Sequence, residues 1–131
     1  MDDPIPHQDL TRKIIGCAME VHRTLGDGFQ ETIYQRALAI EMASHGIEFV
    51  REVEMEIFYK GEPIGTRRVD FLVAGVVLLE LKALIRLEDV HLAQAINYLE
   101  AFDLNLGLLL NFGARSLEFK RLLRPGGCVI R

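Results

Sequence analysis

The chain has 131 residues, 50% of them hydrophobic and 26% charged, with a formal net charge of −4 at pH 7. This length suits a single domain over residues 1–131 and counts against a second, independent domain core. The acidic balance counts against a protein held to nucleic acid by bulk electrostatics, and no apolar run approaches the roughly 20 residues that span a bilayer.

Charge is distributed unevenly along the chain. Residues 1–64 carry 12 acidic and six basic side chains, whereas residues 65–131 carry seven acidic and nine basic ones. The basic half could meet a phosphate backbone, although a solvated surface explains it as well. The two cysteines, Cys17 and Cys128, form no metal-ligand spacing, so we expect reduced thiols in a cytoplasmic protein.

Two helices are predicted at the start of the chain. The first is capped by Asp9, carries an apolar stripe at helical spacing and ends at Gly26 to Gly28. The second runs from about Phe29 to Ser44. Together they are expected to form an αα-hairpin.

Three strands are predicted next. Glutamates alternate with Val53, Met55 and Ile57, which is the pattern of a half-exposed strand. Turn residues at positions 60–63 lead to a second strand over about 64–73, and positions 76–82 form a third. The third strand, VVLLELK, is a nearly continuous apolar run, so we expect it to be central and covered on both faces.

A third helix is predicted from about Glu88 to Ala101, with its core contacts at Leu92, Ala95 and Leu99. A fourth strand covers 106–112 and a fifth covers 117–123. The residues 111–113 are interpreted as the end of the fourth strand. The order α-α-β-β-β-α-β-β predicts an α/β protein of the α+β type, with a mixed sheet flanked by helices.

Three charged residues interrupt the apolar stretch 69–82, VDFLVAGVVLLELK: Asp70, Glu80 and Lys82. Residues two apart face the same side of a strand, so Glu80 and Lys82 project together. A two-residue loop at positions 74–75 puts Asp70 on the other face. A three-residue loop at 74–76 pairs Asp70 with Glu80, because one residue of register reverses the face.

In the second register two carboxylates lie side by side. Two carboxylates at such a short distance repel each other, which raises the pKa of both. A bound divalent cation such as Mg²⁺ neutralises this repulsion. A metal ion can activate a water and a lysine can orient it, so this set fits phosphodiester hydrolysis. The alternative is an edge-strand ion pair between Glu80 and Lys82. Because so short a motif often occurs by chance, the ion pair is the favoured interpretation when the motif is taken alone.

Five stretches stand in a distinctive order: GFQETIY at 28–34, RRVDFLV at 67–73, LLELK at 78–82, HLAQAINYL at 91–99 and LGLLLNFG at 106–113. From about Ile14 to Leu123, the chain resembles the bacterial GxxExxY family of the PD-(D/E)xK nuclease superfamily. The resemblance implies a restriction-endonuclease-like α-β-β-β-α-β core, here with an extra N-terminal helix. It also implies a nuclease that hydrolyses DNA or RNA with Mg²⁺ or Mn²⁺.

The resemblance also assigns catalytic roles by position. Asp70 and Glu80 match the metal-binding acids, and Lys82 matches the catalytic lysine. Glu31 matches the acid that the first core helix often supplies, as a metal ligand directly or through water. The nominal proline of the motif is Val69 in this chain, a departure that removes no ligand.

Four further residues are candidates for substrate contact. Gln94 and Tyr98 match the QxxxY element that lines the site in several superfamily branches. Arg68 shares the strand parity of Asp70, so we prefer it to Arg67. Tyr34 either faces the same pocket or packs in the core.

An alternative function is a non-catalytic module on the same fold that binds nucleic acid or another protein. The acidic N-terminal half and the lack of a separate DNA-targeting element motivate it. His91 could reach the same cleft, although lone histidines are more often structural. The sequence names no interface, so a homodimer stays an open expectation, as does the choice between DNA and RNA.

Overall fold

The computed structural model describes residues 7–125, which form a mixed five-stranded sheet and three helices. Cys128 lies outside these residues. The element order is the predicted one, and the predicted boundaries hold to within two residues. The helices are α1 (Gln8–Leu25), α2 (Glu31–Ser44) and α3 (Asp89–Ala101); the strands are β1 (Phe49–Tyr59), β2 (Glu62–Val73), β3 (Val77–Lys82), β4 (Leu106–Asn111) and β5 (Glu118–Leu123).

Helix α1 buries one face because its apolar side chains recur at helical spacing. The predicted cap at Asp9 is wrong, since the helix begins at Gln8 and Asp9 lies in its first turn. There its negative charge interacts favourably with the positive end of the helix dipole. The helix ends at Gly26, whose φ of 78° a glycine adopts at little cost. Within the described range, no helix combines the length and apolar character needed to cross a membrane.

The strands lie in the order β1-β2-β3-β4-β5. The pairs β1–β2, β2–β3 and β4–β5 are antiparallel, and β3–β4 is parallel, with α3 as the crossover. Strand β3 is therefore central, and it is buried from Val77 to Leu81, as predicted.

Two separate cores cover the two faces of the sheet. The α1/α2 core includes Leu79 and Leu81 of β3. The α3 core includes Leu78 of β3 with Ala95 and Leu99 of α3. The apolar run of β3 is continuous because its alternate side chains enter different cores.

The loop between β2 and β3 has the three-residue form. Val73 pairs with Val77 and Phe71 with Leu79, so residues 74–76 make the turn. This confirms the three-residue loop, one of the two alternatives that the sequence left open, and one further step in the same register brings Asp70 opposite Glu80.

The β1–β2 ribbon changes faces midway along its length. Phe71 packs in the α1/α2 core, whereas Val69 packs in the α3 core. In a regular strand these two residues would share a face, so β2 reverses at Asp70. On β1 the opposite residue is Glu52, whose φ of 52° is unusual for a strand and marks the same reversal. Residues of β2 before and after Asp70 therefore do not follow one alternation of faces.

Candidate functional site

The acids Asp70 and Glu80 lie where β2 and β3 separate, a feature we call the strand fork. Regular pairing of these strands stops at Phe71 and Leu79. Beyond it, Glu80 Oε2 accepts the backbone N–H of Asp70 at 3.1 Å, and Asp70 Oδ2 accepts the backbone N–H of Leu81 at 2.8 Å. Each carboxylate thus bonds the backbone of the other strand, which holds the two acids next to each other.

Asp70 is also held from α2. Gln35 Nε2 donates to Asp70 Oδ1 at 2.9 Å, and Arg51 Nη2 donates to Gln35 Oε1 at 2.8 Å. Gln35 is buried. The sequence analysis missed Gln35 and Arg51, although the spacing offered one signal: Gln35 lies one helical turn after Glu31, on the same side of α2.

Glu80 is a buried carboxylate with an unusual pKa. It is 3% exposed, and Arg67 Nη2 donates to its Oε1 at 2.9 Å. Burial raises the pKa of Glu80 to about 7, and the neighbouring charge of Asp70 acts in the same direction. The hydrogen bond from the Asp70 backbone and the charges of Arg67 and Lys82 oppose the rise. Glu80 therefore changes charge near neutral pH when no other cation binds beside it.

The arginine that reaches the acids is Arg67. Its guanidinium carbon lies 4.9 Å from the centroid of the Tyr98 ring, the distance of a cation–π contact. Arg68 instead pairs with Glu54 at 3.5 Å on the open surface. The parity argument that preferred Arg68 was wrong about which arginine lies in the fork, because β2 changes face at Asp70. Substrate contact by Arg68 stays a prediction.

Lys82 follows Glu80 on the same side of β3, and its charge lowers the pKa of Glu80. In the part of the chain that the structure describes, the ion pair of Glu80 is made by Arg67, and Lys82 pairs with neither acid. The edge-strand ion pair between Glu80 and Lys82 is therefore wrong, both in its partner and in its strand, since β3 is central.

The donor set of the fork fits a divalent cation. Over residues 7–125, no group of three or more His, Cys, Asp or Glu side chains gathers to hold a metal ion. Glu31 is exposed at the start of α2, so its role as a third ligand stays a prediction. Two adjacent carboxylates still suit Mg²⁺, which commonly uses only one or two and keeps several waters.

The predicted substrate residues lie in different surroundings. Gln94 is exposed on α3, one turn before Tyr98, so the two share one side of that helix, and Tyr98 contacts Arg67. Tyr34 is fully buried and stacks on Phe112, with ring centroids 4.7 Å apart. This placement corresponds to the core-packing alternative and leaves the Tyr34 ring no surface for a substrate.

His91 is engaged locally rather than in the fork. Its Nδ1 accepts the backbone N–H of Glu88 at 3.0 Å, and the Glu88 side chain caps the same turn of α3. This reciprocal arrangement is a capping box with histidine in the third position. The structural interpretation of His91 thus accounts for its contacts.

Comparison with known proteins identifies the fold. A sequence model of the PD-(D/E)XK nuclease superfamily matches residues 8–122. No curated protein matches the chain. A solved structure titled "Crystal structure of SSO0001" aligns with a TM-score of 0.55 and 20% identity, over 72% of this chain and 50% of that one. That likeness concerns the fold alone, and the chain spans about half the length of that protein. The chain belongs to the PD-(D/E)XK nuclease superfamily, and its mixed α+β sheet is the restriction-endonuclease-like fold of that superfamily.

Proposed function

We propose that the strand fork is the active site of a metal-dependent nuclease that hydrolyses phosphodiester bonds of DNA or RNA. The observation that carries this proposal is the pair of adjacent carboxylates, Asp70 and Glu80, between diverging strands of a chain from a nuclease superfamily. These two acids would hold Mg²⁺ or Mn²⁺, with Glu31 as the third predicted ligand.

Each residue of the fork has a separate task in this proposal. A divalent cation, when bound, supplies Lewis acidity towards a phosphate oxygen and lowers the pKa of a bound water. Lys82 orients the attacking water or offsets negative charge on the phosphate. Gln35 fixes the orientation of Asp70 through its 2.9 Å hydrogen bond. The buried neighbours of Glu80 on β3, Leu79 and Leu81, hold its backbone in place.

Several finer statements belong to the same proposal. Within the superfamily we assign the chain to the GxxExxY family, on the motif that begins at Gly28. Gln94, Tyr98 and Arg68 would contact the nucleic acid. We further propose one domain over residues 1–131, a cytoplasmic location and a homodimer as the form to test first.

A second candidate function is a non-catalytic binding module on the same fold. The observation in its favour is that both acids already have protein partners. Asp70 accepts hydrogen bonds from Gln35 and Leu81, and Glu80 is paired with Arg67. Such a module would bind nucleic acid equally well with or without a divalent cation.

Calorimetric titration with Mn²⁺ tests the metal site directly. We expect the wild-type chain to bind Mn²⁺ and Asp70→Asn to bind it at least about tenfold more weakly, because one of two carboxylate ligands is lost. Glu54→Gln is the matched control, since it removes the same charge from the exposed surface of β1. A folded wild-type chain that takes up neither Mn²⁺ nor Mg²⁺ would contradict the proposal.

Cleavage of labelled DNA and RNA separates the two candidate functions. Lys82→Met should bind Mn²⁺ within about twofold of wild type and yet lose roughly 100-fold or more in cleavage rate, the range typical of a lost proton-transfer or charge-stabilising group. Equal binding of nucleic acid in Mn²⁺ and in EDTA, without any cleavage, would instead support the binding module.

A further inference from the structure

The guanidinium of Arg67 carries a buried nitrogen without a hydrogen-bond partner. Across residues 7–125, two buried side-chain nitrogens have none, Arg67 Nε and Arg124 Nε. Arg124 Nε nevertheless lies 3.7 Å from a carboxylate oxygen of Glu100. A buried donor without an acceptor is costly, so other contacts must hold Arg67 in its position.

The contacts that hold Arg67 include the 2.9 Å ion pair with Glu80 Oε1 and the cation–π contact with Tyr98. The side chain of Arg67 is still 35% exposed, so it borders both the buried acid and solvent. Its neighbour Arg68 is 60% exposed and paired on the open surface with Glu54. Of these two adjacent arginines, only Arg67 has a carboxylate of the fork as its partner.

The ion pair of Arg67 places one positive charge where the metal of the proposed function would bind. Glu80 Oε1 accepts from Arg67, and Glu80 Oε2 accepts from the backbone of Asp70. A divalent cation on the same carboxylate would repel a guanidinium at hydrogen-bond distance. By linkage, each cation weakens the binding of the other to the same extent.

We infer that Arg67 alternates between two partners: the carboxylate of Glu80 when no metal is bound, and a substrate phosphate once a divalent cation occupies the fork. This inference rests on the proposed function and adds to it a phosphate-binding residue. A guanidinium suits the second partner because its planar donors match phosphate oxygens. Its partial exposure at the fork leaves a path between the two positions.

Metal affinity measured by calorimetry with Mg²⁺ tests the first half of the inference. Arg67→Met removes the charge and keeps an apolar stem against Tyr98. We expect Arg67→Met to bind Mg²⁺ about fivefold or more tightly than wild type, because a competing charge is gone. Arg68→Met is the matched control: it removes the same charge one residue away on the exposed surface, and its affinity should stay within about twofold.

The titration should be made at about pH 9, where protons compete least for Glu80. Arg67 lowers the pKa of Glu80, so its removal also favours the protonated carboxyl at neutral pH and would mask the gain. Unchanged or weaker Mg²⁺ binding by Arg67→Met at this pH overturns the inference while leaving the nuclease proposal intact. If neither protein binds metal, both fail. If only Arg67→Met binds metal, Arg67 does not give way to the cation in the wild-type chain, and the switch of partners is overturned.

A measurement on the wild-type chain covers the case in which Arg67→Met does not fold. The Nε–H of Arg67 is buried, so its proton should exchange slowly with solvent in EDTA and faster with Mg²⁺. The NMR resonance is assigned by its absence in Arg67→Lys. An exchange rate that Mg²⁺ saturation leaves unchanged would show that Arg67 does not move.

Nucleic-acid binding tests the second half of the inference. A short labelled oligonucleotide is titrated with Ca²⁺ as a divalent cation that we choose to limit cleavage. We expect Arg67→Met to bind it about tenfold more weakly than wild type in Ca²⁺ and within twofold in EDTA, because only the released arginine meets phosphate. An equal loss in both buffers, or no loss in Ca²⁺, contradicts the switch of partners.

Discussion

Two buried polar clusters flank the carboxyl end of β3, and they differ in kind. On the β2 side lies the strand fork, with two carboxylates and an arginine. On the β4 side lies Asn111, which is 0% exposed and uses its whole amide. Its Oδ1 accepts the N–H of Leu84 at 2.8 Å and of Gly113 at 3.1 Å; its Nδ2 donates to Leu84 O at 2.9 Å and to Glu118 Oε1 at 2.8 Å.

The Asn111 cluster fixes the loop that follows Lys82. Glu118 Oε1 also accepts the N–H of Leu87 at 2.8 Å, so the loop is tied at both Leu84 and Leu87. The hydrogen bonds from Asn111 and Leu87 lower the pKa of Glu118. In the fork, by contrast, the pKa of Glu80 is raised and Arg67 Nε has no partner. The satisfied bonds of Asn111 stabilise the fold, whereas the raised pKa of Glu80 and the unpartnered nitrogen of Arg67 mark the fork as a candidate functional site.

The largest expected effect on stability comes from removing the satisfied amide. Asn111→Ala leaves two backbone donors and a backbone carbonyl without their partner, and each costs about 1–3 kcal/mol. The free energy of unfolding should therefore fall by about 3 kcal/mol or more. Urea denaturation measures the change. Asn97→Ala, at an exposed position of α3, should stay within about 0.5 kcal/mol. A loss below about 1 kcal/mol for Asn111→Ala would break the comparison.

The pH dependence of stability should have opposite signs in the two clusters. The pKa of Glu80 rises from 4.5 to about 7 in the folded chain. The protonated carboxyl group therefore contributes fully to the stability of the fold below pH 4.5, and this contribution is lost as the pH rises through about 7. A shift of this size corresponds to about 3 kcal/mol. In EDTA, Glu80→Gln should therefore gain stability over wild type between pH 5 and pH 8, by an amount of this order.

The matched control for this prediction is Glu118→Gln. The pKa of Glu118 is lowered, so its contribution is present above its ordinary pKa of 4.5 and is lost as the pH falls. The difference between wild type and Glu118→Gln should thus be constant above about pH 6 and shrink below pH 4.5. Parallel pH profiles for the two variants, from thermal or urea unfolding, would contradict the contrast between the clusters.

The smallest expected effects come from two residues of α3, His91, which caps the helix, and Gln94, which is proposed to contact nucleic acid. His91→Ala removes half of a capping box and should cost about 1 kcal/mol of stability, with Mn²⁺ affinity unchanged. Gln94→Ala should show the reverse pattern: stability within about 0.5 kcal/mol and weaker nucleic-acid binding. If His91→Ala keeps its stability and binds nucleic acid more weakly, His91 belongs to the substrate-binding residues.

The amino-acid sequence by itself determined the order of elements and singled out the two acids of the strand fork. Apolar patterns and turn residues predict the order of all eight elements, and the bounds that were predicted hold to within two residues, because such patterns report local geometry directly. The apolar run of β3 predicts a central strand, and the family resemblance singles out Asp70 and Glu80. These features depend on neighbours along the chain or on a motif preserved in order.

Only the tertiary structure decided which side chains meet. The register of β2 and β3 was one of two alternatives until the loop geometry was known. Period-two reasoning did not place Arg67 beside Glu80, because it assumes a regular strand and β2 reverses at Asp70. The roles of Gln35 and Asn111 were missed because their hydrogen-bond partners lie 35 and 27 residues away. Buried amides resemble surface ones in a sequence, and only packing shows which of them are enclosed.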